Sequence, residues 1–180
     1  IAQIIKHASA SADNGYGFNA SVLLTGPPGC GKSQIAFLLA KQLGAAVCTD
    51  HNPLDPGDTL MSMVLRAGAT RDAPLVVLLD EWDSRVSIVF AKPGAFRGKD
   101  SIPEIWDKTS YCIYMDKLCR FNNVIFIFTA NSDPQTIAAV DPAVVRAGRI
   151  DLTIEMRDGA TIAPLRAARF AAATDTKKDA

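Results

Sequence analysis

The sequence predicts a three-layer α/β fold, a five-stranded parallel sheet with helices on both faces. Three observations carry this. Short apolar runs alternate with helix-patterned segments along most of the chain, the order that builds parallel sheets. The run Pro74–Asp80 is apolar until its last residue, as a central parallel strand buried on both faces should be. The 180 residues, 48% hydrophobic and 21% charged, suit a single domain with a substantial core.

Ile1–Ala10 spaces Ile1, Ile4, Ile5 and Ala8 as a helix does, and a polar, Gly-containing stretch follows to Asn19. Ser21–Thr25 is a short buried strand, Gly26–Gly31 a loop, and Lys32–Leu43 a helix stopped by Gly44. Ala45–Thr49 is the second strand. His51–Gly57, with two prolines and a glycine, is a loop, and Asp58–Ala67 is a helix with Asp58 as its N-cap. Pro74–Asp80 is the third strand. Trp82–Asp100 lacks a clear period and holds Pro93, Gly94 and Gly98, so it reads as a long loop. Ile105–Phe121 is a helix, Val124–Thr129 a strand, Pro134–Val140 and Pro142–Ala147 short helices, and Ile150–Met156 the fifth strand. Thr161–Ala173 is an Ala-rich helix before a Lys-containing tail.

Composition excludes some classes of function. Nineteen basic and nineteen acidic side chains cancel, so no global positive field advertises nucleic acid. The longest apolar runs, Ala73–Leu79 and Val124–Phe128, fall far short of the roughly 20 residues of a membrane helix. Cys30, Cys48, Cys112 and Cys119 form no C-x-x-C pair, and His7 and His51 are not at ligand spacing with them. Reduced thiols in an intracellular reducing compartment are expected, and a zinc site is not. The sequence begins at Ile1 and reads as a fragment of a longer protein, so its lack of a signal pattern says little about the parent.

Four motifs bear chemistry. Gly26-Pro27-Pro28-Gly29-Cys30-Gly31-Lys32-Ser33 fits G-x-x-x-x-G-K-[ST] between a strand and a helix. Its glycines let backbone N–H groups cradle phosphate, and the helix adds its positive end. Lys32 is expected to reach the β- and γ-phosphates of a bound nucleotide, and Ser33 to ligate Mg²⁺. The strand Leu75–Leu79 then delivers Asp80 and Glu81 at its carboxyl end, where α/β sheets build sites. Asp80 is expected at the Mg²⁺ and Glu81 beside the attacking water; taken alone, the pair could be a helix cap or a solvated turn. The strand ending Thr129-Ala130-Asn131 delivers an amide that could touch the water or the γ-phosphate, or simply form a turn. In Asp141-Pro142-Ala143-Val144-Val145-Arg146-Ala147-Gly148-Arg149-Ile150-Asp151, two arginines flank a glycine, and on their own they could pair with surface acids.

Taken in order, these motifs resemble the ATPase core of the AAA family within the AAA+ P-loop superfamily. The resemblance covers roughly Ser21–Met156, and its last string is the most specific part. It is nearest to the branch containing the mitochondrial translocase that inserts the Rieske iron–sulfur protein, and to related viral and cellular ATPases. The resemblance implies a strand order of 5-1-4-3-2, with residues 1–157 as the ATPase core and 158–180 as the start of a helical lid and tail. It makes Gly26–Ser33 the Walker A loop, Asp80 and Glu81 the Walker B pair, and Asn131 the sensor-1 residue. Arg146 and Arg149 become arginine fingers reaching a neighbouring subunit's nucleotide. ATP and Mg²⁺ are then the ligands, the partners are like subunits in a ring, usually a hexamer, and the work is done on a macromolecular client, expected to be a protein.

The sequence also departs from the family. His51–Gly57 stands where peptide-threading members carry an aromatic pore loop, and it has no Phe, Tyr or Trp. The segment Trp82–Asp100, with Arg85, Lys92, Arg97, Lys99, Phe90 and Phe96, reads as a solvated insertion, client contact being the alternative. Most of the lid is missing, so no sensor-2 residue is assignable. Cys30 reads as a tolerated small side chain, with thiol sensitivity as the alternative. Two other functions compete with an ATP-driven remodeller: a nucleotide-gated assembly module with little turnover, and a nucleic-acid-directed motor subunit.

Overall fold

The computed structural model describes residues 1–15, 17–91 and 103–157. The chain runs α1 (Ala2–Asp13), β1 (Asn19–Thr25), α2 (Lys32–Leu43), β2 (Ala46–Cys48), α3 (Leu60–Ala67), β3 (Leu75–Leu79), α4 (Trp82–Ala91), α5 (Lys108–Leu118), β4 (Val124–Ala130), α6 (Pro134–Val140) and β5 (Leu152–Glu155). The strands form one sheet in the order β2-β3-β4-β1-β5, and every neighbouring pair is parallel. This is the expected order.

Because side chains alternate across a strand, apolar strands supply two cores. In β4, Val124, Phe126 and Phe128 pack with α3, α4, α5 and α6 on one face. Ile125 and Ile127 pack with α1 and α2 on the other. The first core is aromatic: Trp82 lies 4.9 Å from Phe128 and 5.9 Å from Tyr111, centroid to centroid. Burying both faces explains why β3, and β4 as far as Phe128, read as unbroken apolar runs.

Three expectations are corrected. Trp82–Ala91 is a helix and not a loop. Its buried Trp82, Val86 and Val89 recur at helical spacing, a signal diluted by the β-branched and polar residues between them. Pro142–Ala147 is a chain of turns and not a helix. Asp141 Oδ1 accepts from Ala143 N at 2.8 Å, a local bond that competes with helix formation. The N-cap of α3 is Thr59, whose side chain accepts from Ser62 N, whereas Asp58 turns back to accept from Asn52 N. Boundaries also move. α1 runs to Asp13, and α5 starts only at Lys108, behind a capping box of Asp107 and Ser110. The helix expected at Thr161–Ala173, the lid, and the part of the 82–100 segment beyond Ala91 lie outside the described residues.

Register sets up the site. Thr25 pairs with Ala130 and Leu79 with Phe128, so β1, β4 and β3 end side by side. Their following residues, Gly26, Asn131 and Asp80, therefore meet at the carboxyl edge of the sheet.

Candidate active site

The loop after β1 is shaped by close approach. A Cβ on Gly26 would lie 2.2 Å from Met156 O, because β5 ends against it and Met156 N donates to Thr25 O at 2.7 Å. Gly31, the N-cap of α2, has φ of 93°, a left-handed conformation suited to glycine. No side chain caps α2, so its first-turn N–H groups are open to an anion.

Lys32 is 7% exposed. Its Nζ donates to Gly26 O at 2.7 Å, Pro27 O at 3.0 Å and Asn131 Oδ1 at 2.8 Å. All three acceptors are neutral, and among the described residues no carboxylate pairs with this buried ammonium. Such a charge suits an incoming anion. Cys30 is buried, with Sγ 3.9 Å from the same Nζ.

Ser33 Oγ donates to the Asp80 carboxylate at 3.0 and 3.1 Å. Thr129 Oγ1 also donates to Asp80 Oδ1 and accepts from Glu81 N at 3.1 Å. Glu81 is exposed, with φ of 53°, a left-handed conformation uncommon for a side-chain-bearing residue; such strain clusters at functional positions. A hollow of about 360 Å³ lies between these groups, lined among others by Gly29, Lys32, Ser33, Asp80, Glu81 and Asn131. Among the described residues no group of three or more His, Cys, Asp or Glu is placed to hold a metal ion. A hydroxyl beside one carboxylate still fits Mg²⁺, which keeps waters and takes phosphate oxygens.

A family model for the ATPase family associated with various cellular activities (AAA) matches residues 22–158. The chain belongs to the AAA ATPase family. It is 27% identical over 176 residues to a proteasome-associated ATPase of Pseudarthrobacter chlorophenolicus, covering 83% of this chain and 28% of the relative. A proteasome-associated ATPase of Actinosynnema mirum is 32% identical over 159 residues, covering 75% and 25%. The mitochondrial chaperone BCS1 of Danio rerio is 27% identical over 157 residues, covering 84% and 35%. The chain thus spans about a quarter to a third of the length of these curated relatives. AAA ATPases hydrolyse ATP with Mg²⁺.

The structure brings Gly26–Ser33, Asp80, Glu81 and Asn131 together and keeps both arginines apart from them in its contacts. Arg146 is exposed. Arg149 is 8% exposed; its Nε and Nη2 donate to Asp116 at 2.8 and 3.2 Å, and its Nη1 donates to Ala143 O at 2.9 Å. One of the two arginines therefore pairs with an acid of its own chain. Two further residues escaped the sequence reading. Thr129 was visible only as a strand-end hydroxyl, and Asp83 only as a first-turn acid of an unrecognised helix. Asp83 accepts from Asn131 N, Ser132 N and Ser132 Oγ. Burial pushes its carboxyl up, but these bonds outweigh burial and hold it below the ordinary range. Among the described residues no helix is long and apolar enough to cross a membrane.

Proposed function

We propose that this chain is the ATP-hydrolysing core of an oligomeric machine, a ring of about six subunits, that does conformational work on a protein client. The observation that carries the reading is the buried Lys32 ammonium facing Asn131 beside the Ser33–Asp80 pair. Relatives named as proteasome-associated ATPases and a mitochondrial chaperone, and a net charge of zero, support a protein client over nucleic acid.

Lys32 neutralises charge on the β- and γ-phosphates, together with the α2 amides. Ser33 Oγ and Asp80 would hold Mg²⁺, which would supply positive charge against those phosphates. Glu81 takes the proton of the attacking water as the terminal P–O bond breaks to leave ADP and phosphate. Thr129 orients the Asp80 carboxylate, and Asn131 hydrogen-bonds the water or the γ-phosphate without adding charge. Exposed Arg146 is the finger offered to a neighbouring subunit, while Arg149 must leave Asp116 to play that part.

Two substitutions test this. Glu81→Gln should keep ATP and Mg²⁺ affinity by calorimetry yet lose on the order of 10²–10⁴-fold in turnover. Lys32→Ala should abolish measurable ATP binding. Wild-type turnover in the first would remove Glu81 as the base, and unchanged affinity in the second would remove the phosphate loop.

A further inference from the structure

Asp83 lies in the first turn of α4, two residues past Glu81. Its Oδ1 serves its own helix, accepting from Ser84 N at 3.0 Å. Its Oδ2 reaches across to the segment after β4 and accepts from Asn131 N at 3.1 Å, Ser132 N at 2.9 Å and Ser132 Oγ at 2.8 Å. Two consecutive backbone N–H groups held by one oxygen restrain the chain at Asn131, and the Cα–Cβ direction follows. That direction carries Asn131 Oδ1 to 2.8 Å from Lys32 Nζ. Asn131 is itself exposed, so packing does little to fix it.

We propose that Asp83 is a positioning residue that sets Asn131 against Lys32 and the reacting phosphate. It ties the helix that starts beside Glu81 to the strand end that carries Asn131, and so holds two site residues at one spacing. The proposal rests on the role given to Asn131 above. A first-turn acid that only favoured its own helix would need Oδ1 alone; the three bonds to Oδ2 are what that role leaves unexplained. A carboxylate binds such donors more strongly than a neutral amide does, so Asn in its place should hold the segment less firmly.

The test uses the intact protein with Asp83→Ala, Asp83→Asn, Asn131→Ala and the Asp83→Ala/Asn131→Ala double variant. Turnover, ATP affinity by calorimetry and hydrogen exchange of the Asn131 and Ser132 amides are measured. Asp83→Ala should lower kcat on the order of tenfold to a hundredfold, the usual size for a misplaced group, with ATP affinity little changed. Exchange at both amides should speed up without nucleotide. Asp83→Asn should fall between Asp83→Ala and wild type, which guards against a folding defect in the alanine variant. The double variant should be no slower than Asn131→Ala, because the two act through one side chain. Losses that multiply in the double variant, or unchanged exchange at both amides in Asp83→Asn and Asp83→Ala, would overturn the proposal. If Asn131→Ala alone keeps full turnover, the role of Asn131 fails, while the exchange data still decide whether Asp83 holds the segment.

Discussion

Arg146 and Arg149 stand three residues apart in one string, and their surroundings divide them. Arg149 forks onto Asp116 and caps Ala143 O, pinning the turn after α6 to α5. The hydrogen bond from Arg149 is the main reason the Asp116 carboxyl lies below its ordinary range. A carboxyl depressed in the folded chain adds stability that is present above its unfolded pKa and lost as pH falls through the folded value. Thermal melts should therefore show wild type above Asp116→Asn at neutral pH, with the gap closing in acid. Arg149→Ala should cost more, about 1–3 kcal/mol, because Ala143 O then loses its partner as well. A gap between wild type and Asp116→Asn that persisted unchanged into acid would show that the ion pair contributes nothing.

The β2–α3 connection shows an element held by polar bonds where its sequence promised only a loop. His51 is 2% exposed, with Nδ1 3.1 Å from Asp58 Oδ2 and Nε2 3.1 Å from Tyr114 Oη. A carboxylate oxygen can only accept, so Nδ1–H donates to Asp58, and in that tautomer of the neutral ring Nε2 accepts from the Tyr114 hydroxyl. Asp58 also accepts from Asn52 N, and Asn52 Oδ1 accepts from Arg85 of α4 at 2.7 Å. One imidazole thus joins α5 to the connection, which Arg85 joins to α4. His51→Ala should lower the denaturant midpoint by the equivalent of about 1–3 kcal/mol for each buried group it strands. Tyr114→Phe, which removes one hydroxyl, should cost less. Equal losses in the two variants would show that the Asp58 half of the relay is worth nothing.

At the scale of the whole molecule, neither Arg146 nor Arg149 lines the hollow, and the proposed assembly would bring Arg146 to a neighbouring copy. In a homogeneous assembly, Arg146→Ala should bind ATP normally and hydrolyse it poorly, by up to about 10³-fold if the finger matches well-studied phosphoryl-transfer systems. Mixed with Glu81→Gln subunits it should regain part of its turnover, because only a mixture pairs an intact Glu81 with an intact Arg146 from its neighbour. Mixed assemblies that form yet recover no turnover would sink the action in trans. So would an Arg146→Ala monomer that no longer binds ATP.

Much of this was legible along the chain because it depends on local rules. The run Gly26–Ser33 needs only glycines before a helix start, and α2 lies at Lys32–Leu43 with Gly44 after it, as its spacing requires. Strands β3 and β4 were readable because a parallel sheet buried on both faces favours apolar runs, and Asp80, Glu81 and Asn131 were readable as polar residues after such runs. What escaped depends on residues far apart in sequence. Helix α4 is stabilised by seating Trp82 against Phe128 and Tyr111, so its own weak period could not announce it. The string 142–147 has helical composition, but Asp141 captures Ala143 N and Arg149 captures Ala143 O, and a turn results. The bonds from Asn131 and Ser132 to Asp83 span 48 and 49 positions, and Arg149 meets Asp116 across 33. The sequence by itself determined the candidates Gly26–Ser33, Asp80, Glu81 and Asn131, since residue type and spacing suffice to nominate them. Only the tertiary structure decided which of them are held, free or paired, because hydrogen-bond partners are chosen by the register of β3, β4 and β1 and by helix packing.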